Sequence, residues 1–199
     1  MEKRSINFEL RAKPESRTIF GTATVFNSSY DMGWYDEEMS ADSLNEADMK
    51  DVVALFNHDM NMVLARTSSG TLKLNVTGNA MEYEFEAPNT TLGNDLLEMV
   101  KRGDVYQSSF AFTVEAEDWQ ERSGMKPKRV IRSIKKVYDV SPVTYPANPD
   151  TMVAKRSYEA TKEIDKDLQT IIDISVKSEI NIQNELRRNA LHLLNLKTK

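Results

Sequence analysis

A hydroxyl, an imidazole and a carboxylate together can turn a serine into a nucleophile. This chain of 199 residues carries all three in short, distinctive segments. Leu55-Phe56-Asn57-His58-Asp59 holds one of the two histidines, and Ser108-Ser109-Phe110-Ala111-Phe112 opens on paired serines. The stretch from Asp139 to Pro149 begins with an acid and runs into a proline-rich turn. A serine hydroxyl attacks a carbonyl only when a base takes its proton, and histidine is the usual base near neutral pH. His58 is the default candidate, because His192 falls in a predicted C-terminal helix. If Phe110, Phe112 and Val114 face a core, Ser109, Ala111 and Thr113 lie on the opposite face of the strand. That register presents Ser109 on the outside of the fold, beside a small alanine, and turns Ser108 inward. The plain alternatives are two ordinary strand serines and a surface histidine in a turn. For the acid that would orient the imidazole, Asp139 ends a strand and can reach back across a sheet. Asp59 points away from its neighbour in an extended backbone, while Asp104 and Glu115 stay open as candidates.

Composition narrows the chemistry. Cysteine is absent, which removes disulfides, thiolate nucleophiles and cysteine-containing zinc sites. With two distant histidines, a histidine-rich metal site is not expected, and no cofactor is implied. The formal net charge of −5 argues against a general nucleic-acid binder. The local basic run Lys126-Pro127-Lys128-Arg129 reads as a solvated hairpin arm. No stretch reaches the roughly 18 apolar residues of a membrane span. No apolar signal core follows Met1 to Ser5, so work in the cytosol is the expectation.

The elements that must position these groups are mostly strands. Ser5 to Arg11, Arg17 to Phe26, Val52 to Phe56, Ser108 to Trp119 and Arg129 to Val140 read as strands. Leu72, Leu74 and Val76 alternate with polar residues, as do Met81, Tyr83 and Phe85, the signature of half-buried antiparallel strands. Gly78-Asn79 sits between them where a hairpin turn belongs. Thr91 to Arg102 has helical spacing and is stopped by Gly103. Asn27 to Asp51 reads as a long loop with a helical piece around Ser43 to Met49. The expected fold is mainly β, of α+β type: a small β-barrel with surrounding helices over residues 1–154. Residues 155–199 read as a long amphipathic helix, broken near Ser175 to Ser178, with a stripe from Ile164, Leu168, Ile171 and Ile172 to Ile182, Leu186, Ala190 and Leu193. Docking on its own domain and association with a partner are both open for that stripe.

The motifs resemble those of the tailed-phage prohead maturation proteases, relatives of the herpesvirus assembly proteases. The resemblance rests on Asn57-His58-Asp59, then Arg66-Thr67 and Gly70-Thr71-Leu72. It continues through Gly103-Asp104 and Ser109-Phe110-Ala111-Phe112 to Asp139 through Pro149, covering about residues 5 to 154. Family members usually have glycine where Ala111 stands.

The resemblance implies a β-barrel ringed by helices, with the serine and histidine on neighbouring strands. It implies Ser109 as nucleophile, His58 as base and, with the third member varying among relatives, Asp139 as acid. Arg66 is either an oxyanion partner or a structural ion-pair residue. The implied activity is a serine endopeptidase that cuts scaffold, or the scaffolding segment of the major capsid protein, and then itself. The implied place is the host cytoplasm, inside the assembling procapsid. The implied partners are the capsid and scaffold proteins, with self-association open and no nucleic acid or membrane. A non-enzymatic assembly protein with a β-barrel binding module is the rival reading.

Overall fold

A computed structural model describes residues 1–6, 10–13, 15–145 and 151–197, with side chains at 1–4, 10–13, 15–145, 154–179 and 183. The strands in chain order are β1 (Glu2–Ile6), β2 (Leu10–Ala12), β3 (Thr18–Val25), β4 (Ser29–Asp31), β5 (Asp36–Met39), β6 (Val53–Phe56), β7 (Asp59–Arg66), β8 (Leu72–Val76) and β9 (Ala80–Glu86). Helix α1 (Thr91–Arg102) follows, then the long strands β10 (Gln107–Gln120) and β11 (Lys128–Val143), and helix α2 (Thr151–Lys197). The chain divides into two compact units, Met1–Asp150 and Thr151–Lys199.

The first unit contains two open sheets. The larger runs β1-β10-β11-β5-β4, with β6 also on β11 and β7 on β6; the smaller runs β2-β3-β9-β8. This corrects the expectation of a β-barrel. Period-two patterning says that a strand buries one face, but it does not say whether the last edge meets the first. Here β1, β4 and β7 each have a single paired neighbour in the larger sheet, as do β2 and β8 in the smaller. The apolar faces supply one core, with Ile19, Met81, Tyr83, Phe85, Leu96, Phe110, Phe112, Ile131 and Ile134 all at or near zero exposure. Helix α1 lays Leu96, Leu97 and Val100 on that core. Its start is capped by the Thr90 hydroxyl, which accepts from the Gly93 N–H, and its end by Gly103 in the left-handed region.

The 27–51 segment departs from its expected form. It contains β4 and β5, and its Ser43 to Met49 portion is a pair of turns leading to an isolated parallel bridge between Asp48 and Lys136. Two parallel pairings along one edge of β11 explain this: β5 pairs with Lys128–Ile131, and β6 pairs with Asp139 and Val140. Between them the Ser43 carbonyl accepts from the Ile134 N–H and the Asp48 carbonyl from the Val137 N–H. The backbone is satisfied by the sheet and has no need of a local helix. Helix α2 runs continuously through Ser175 to Ser178, and the Ser175 hydroxyl donates back to the Ile171 carbonyl at 2.9 Å. Ile164, Leu168, Ile171 and Ile172 are exposed on it. The continuation of the stripe at Ile182, Leu186, Ala190 and Leu193 lies outside the described side chains.

The basic run departs from its solvated reading at Arg129, while Lys126 is exposed. Lys126 pairs with Asp31 and Lys128 with Glu38, while Arg129 is 1% exposed. Arg129 joins a buried cluster that ties the N-terminal strand to the sheet. Its guanidinium donates to Glu2 at 2.7 and 2.9 Å, to Glu37 at 2.9 Å and to Glu117 at 2.8 Å. Arg4 bonds the same Glu37 and Glu2. Removing one partner from such a cluster strands the others without water. Arg129→Met is expected to cost about 3–5 kcal/mol of unfolding free energy, measured as a lower midpoint in urea.

The cluster also sets an acid limit. Burial pushes the Glu2 carboxyl up, but Arg129 and Arg4 outweigh it and hold it below its ordinary 4.5. A carboxyl lowered in the folded state contributes fully above its unfolded value and progressively loses that contribution as pH falls through the folded one. The urea midpoint is therefore expected to decline below about pH 4.5, and Glu2→Gln is expected to flatten that decline.

Candidate active site

The larger sheet assembles the site from three strands. Register places Ser109 of β10 opposite Ser141 of β11, and Ala111 opposite Asp139. Directly paired residues share a face, and so do residues two apart. Ser109, Ser141 and Asp139 therefore lie on one side of the sheet. Ser108 faces the other way, where its hydroxyl meets the Tyr83 hydroxyl at 2.9 Å.

His58 comes from the turn beyond β6. Phe56 pairs with Asp59, leaving Asn57 and His58 as a two-residue hairpin connection. Both have positive φ, 55° and 57°, as a type I′ turn requires. Asparagine enters this region readily; histidine is held there at a cost on the order of 1–3 kcal/mol. Because β6 runs parallel to β11 with Val53 beside Asp139, the turn emerges next to the end of β11. The imidazole folds back across the sheet face from there.

It reaches both groups. His58 Nε2 lies 2.6 Å from Ser109 Oγ, and His58 Nδ1 lies 2.6 Å from Asp139 Oδ1. The Ser141 hydroxyl donates to the same Asp139 oxygen at 2.7 Å. Strand β11 thus lies between the strand of the serine and the hairpin of the histidine, so the two are not on neighbouring strands as the resemblance implies. The acid occupies the strand between them.

Ser109 is fully buried, which corrects its expected position on the outside. The register does turn it away from Ser108. However, the β6–β7 hairpin covers it on one side and β1 pairs across it on the other, with Ser5 opposite Ser109. The Ser109 hydroxyl also lies 2.9 Å from the Arg4 carbonyl. One hydroxyl proton therefore has two acceptors, the Arg4 carbonyl and the His58 ring. Donation to Nε2 requires the tautomer in which Nδ1–H donates to Asp139, and that tautomer leaves Nε2 free to take the proton. The His58 and Asp139 side chains are 5% and 7% exposed. In such surroundings the charge that develops on the imidazole is poorly screened by water, and a neighbouring carboxylate is correspondingly effective. Burial, together with the nearby Asp139 charge, also pushes the Tyr83 hydroxyl up, against the lowering effect of its bond to Ser108. Tyr83 therefore stays neutral beneath the site.

The other candidates have different engagements. Asp59 accepts from the Asn61 N–H, Asp104 pairs with Arg102, and Glu115 pairs with Lys135. Arg66 makes a two-pronged bond to Asp51 at 2.6 and 2.5 Å, the structural alternative for that residue. His192 and the turn residues Pro146 to Pro149 lie outside the described side chains. Among the described residues, no group of three or more His, Asp or Glu side chains is gathered to hold a metal. Surface depressions of about 580 and 550 Å³ lie along the smaller sheet, and neither is lined by Ser109, His58 or Asp139.

Sequence reasoning gave no role to three participants: Ser141 on Asp139, the Arg4 carbonyl on Ser109, and Asn57 beside His58. Ser141 had a signal, since residues two apart on a strand share a face. The Arg4 contact spans 105 residues and leaves no local trace. A family model described as caudovirus prohead serine protease matches residues 6–164. No curated protein and no solved structure matches the chain.

Proposed function

The chain belongs to the caudovirus prohead serine protease family, and from that premise we propose that it is an endopeptidase with Ser109 as nucleophile, His58 as base and Asp139 as acid. The carrying observation is the unbroken run of hydrogen bonds Asp139–His58–Ser109, at 2.6 Å on each side of the ring. His58 Nε2 takes the hydroxyl proton as Ser109 Oγ attacks the peptide carbonyl. Asp139 stabilises the imidazolium and fixes its orientation. The imidazolium then protonates the leaving amine, and water, deprotonated by the same ring, hydrolyses the acyl-enzyme.

The proposed substrates are scaffold, or the scaffolding segment of the major capsid protein, and the protease itself, cut within the procapsid. Helix α2 suits a role in holding such a precursor, because it exposes the apolar side chains of Ile164, Leu168, Ile171 and Ile172. The test is incubation of the purified chain with the capsid precursor and scaffold of its own phage, read by intact mass. Discrete products with defined new termini are expected. Unchanged precursors, both free and inside assembled procapsids, would favour a non-enzymatic assembly role.

A further inference from the structure

Resting on that reading, we propose that Asn57 is a positioning residue whose side chain clasps the hairpin to the end of β11 and thereby places His58. The hairpin needs such a tie. Its ladder is irregular on both sides of Leu55, which pairs with Val63 while Phe56 pairs with Asp59. Residues 60–62 consequently have no opposite number on β6, so strand pairing fixes the tip weakly. His58 itself occupies the left-handed region at that tip.

Asn57 supplies the missing connection with three bonds to one short stretch of β11 and its exit. Its N–H donates to the Pro142 carbonyl at 3.0 Å. Its Oδ1 accepts from the Thr144 N–H at 2.9 Å, and its Nδ2 donates to Thr144 Oγ1 at 3.3 Å. The side chain is exposed, where water competes for both ends, yet both ends are engaged by Thr144. Strand β11 also carries Asp139 and pairs with the strand of Ser109. The clasp therefore locks the base into the same frame as the acid and the nucleophile. It carries no charge, so its influence on the imidazole is geometric. A misplacement near 1 Å is enough to cost up to about 100-fold in rate.

Three variants of the full chain separate this role from backbone effects. Asn57→Gly keeps easy access to positive φ and removes the clasp, while Asn57→Ala removes it in a stiffer backbone. Asn57→Asp retains the oxygen that accepts from the Thr144 N–H. One readout is the low-field Nδ1 proton of His58 by NMR, assigned by comparison with His192→Gln because the chain has only two histidines. The other is kcat against KM on a capsid-precursor peptide. The glycine and alanine variants are expected to lose the His58 signal and to fall about 10–100-fold in kcat with KM little changed. Asn57→Asp is expected to restore most of both.

An unchanged His58 signal in Asn57→Gly and Asn57→Ala overturns the inference, as does an aspartate variant as impaired as the glycine one. The NMR arm needs no turnover, so the two readings fail separately. Loss and rescue of the signal in a chain that cuts nothing would sink the protease reading alone. Robust wild-type cleavage with an indifferent Asn57 would sink only the clasp.

Discussion

Ser109→Ala is expected to abolish cleavage, lowering the single-turnover rate on the order of 10⁶-fold, while the thermal melt stays close to wild type. The rate falls because the nucleophilic oxygen is gone and no neighbour replaces it. Ser108 is adjacent in sequence, but it faces the opposite side of the sheet and is bonded to Tyr83. The fold survives because alanine fits the same buried position. What is lost there is a bond to a carbonyl and one to a ring that the hairpin still holds. Ser108→Ala is the paired control: it removes the Tyr83 bond and leaves the hydroxyl at 109 in place. Rapid cleavage by Ser109→Ala, with Ser108→Ala inactive, would reverse the assignment of the two serines.

Asp139→Asn is expected to lower kcat by about 10⁴-fold with KM little altered. The carboxylate accepts from Nδ1–H and so keeps the proton off Nε2, where it is needed as an acceptor. An amide in the same place can turn its NH₂ toward Nδ1, leaving the ring with its proton on Nε2, pointing at Ser109. The base is then already occupied. The amide also lacks the charge that stabilises the imidazolium in a site where water screens little. Ser141 Oγ meets the same position as Nδ1 and can accept from the amide NH₂ instead of donating, so the packing is nearly unchanged. A loss smaller than tenfold would place the acid elsewhere. Asp104 and Glu115 are poor substitutes, since each is exposed and paired with a cation of its own.

The parts of the fold legible in the sequence are those with a local period. Leu72-Lys73-Leu74 and Met81-Glu82-Tyr83 alternate because one face of β8 and β9 meets the core, and α1 lies where its apolar spacing and Gly103 put it. Strands β4, β5 and β7 are not legible in that way. Glu37 and Glu38 look like loop residues, and only the pairing of β5 with β11 and the buried guanidiniums of Arg4 and Arg129 make a strand of them. Barrel closure is a property of sheet edges, which a pattern within strands does not encode. At the site, hydrogen bonds join Ser109 and His58, which residue chemistry singled out, to Asp139, one of the acids that chemistry left open. The burial of Ser109 was not legible, because it depends on β1 and on a hairpin whose register shifts at Leu55.

The hydrogen-bonded groups of the site are separated by 51 and 81 residues of chain, and the serine's carbonyl contact by 105. Contacts of that span form only after the entropy of closing long loops has been met. A ribosome-bound chain that has not yet released β11 has a serine and a histidine but no acid and no central strand to bring them together. The site is therefore a product of completed folding, and a copy that stops before β11 lacks it. For a member of a serine protease family, topology itself delays the first cut until the domain is whole.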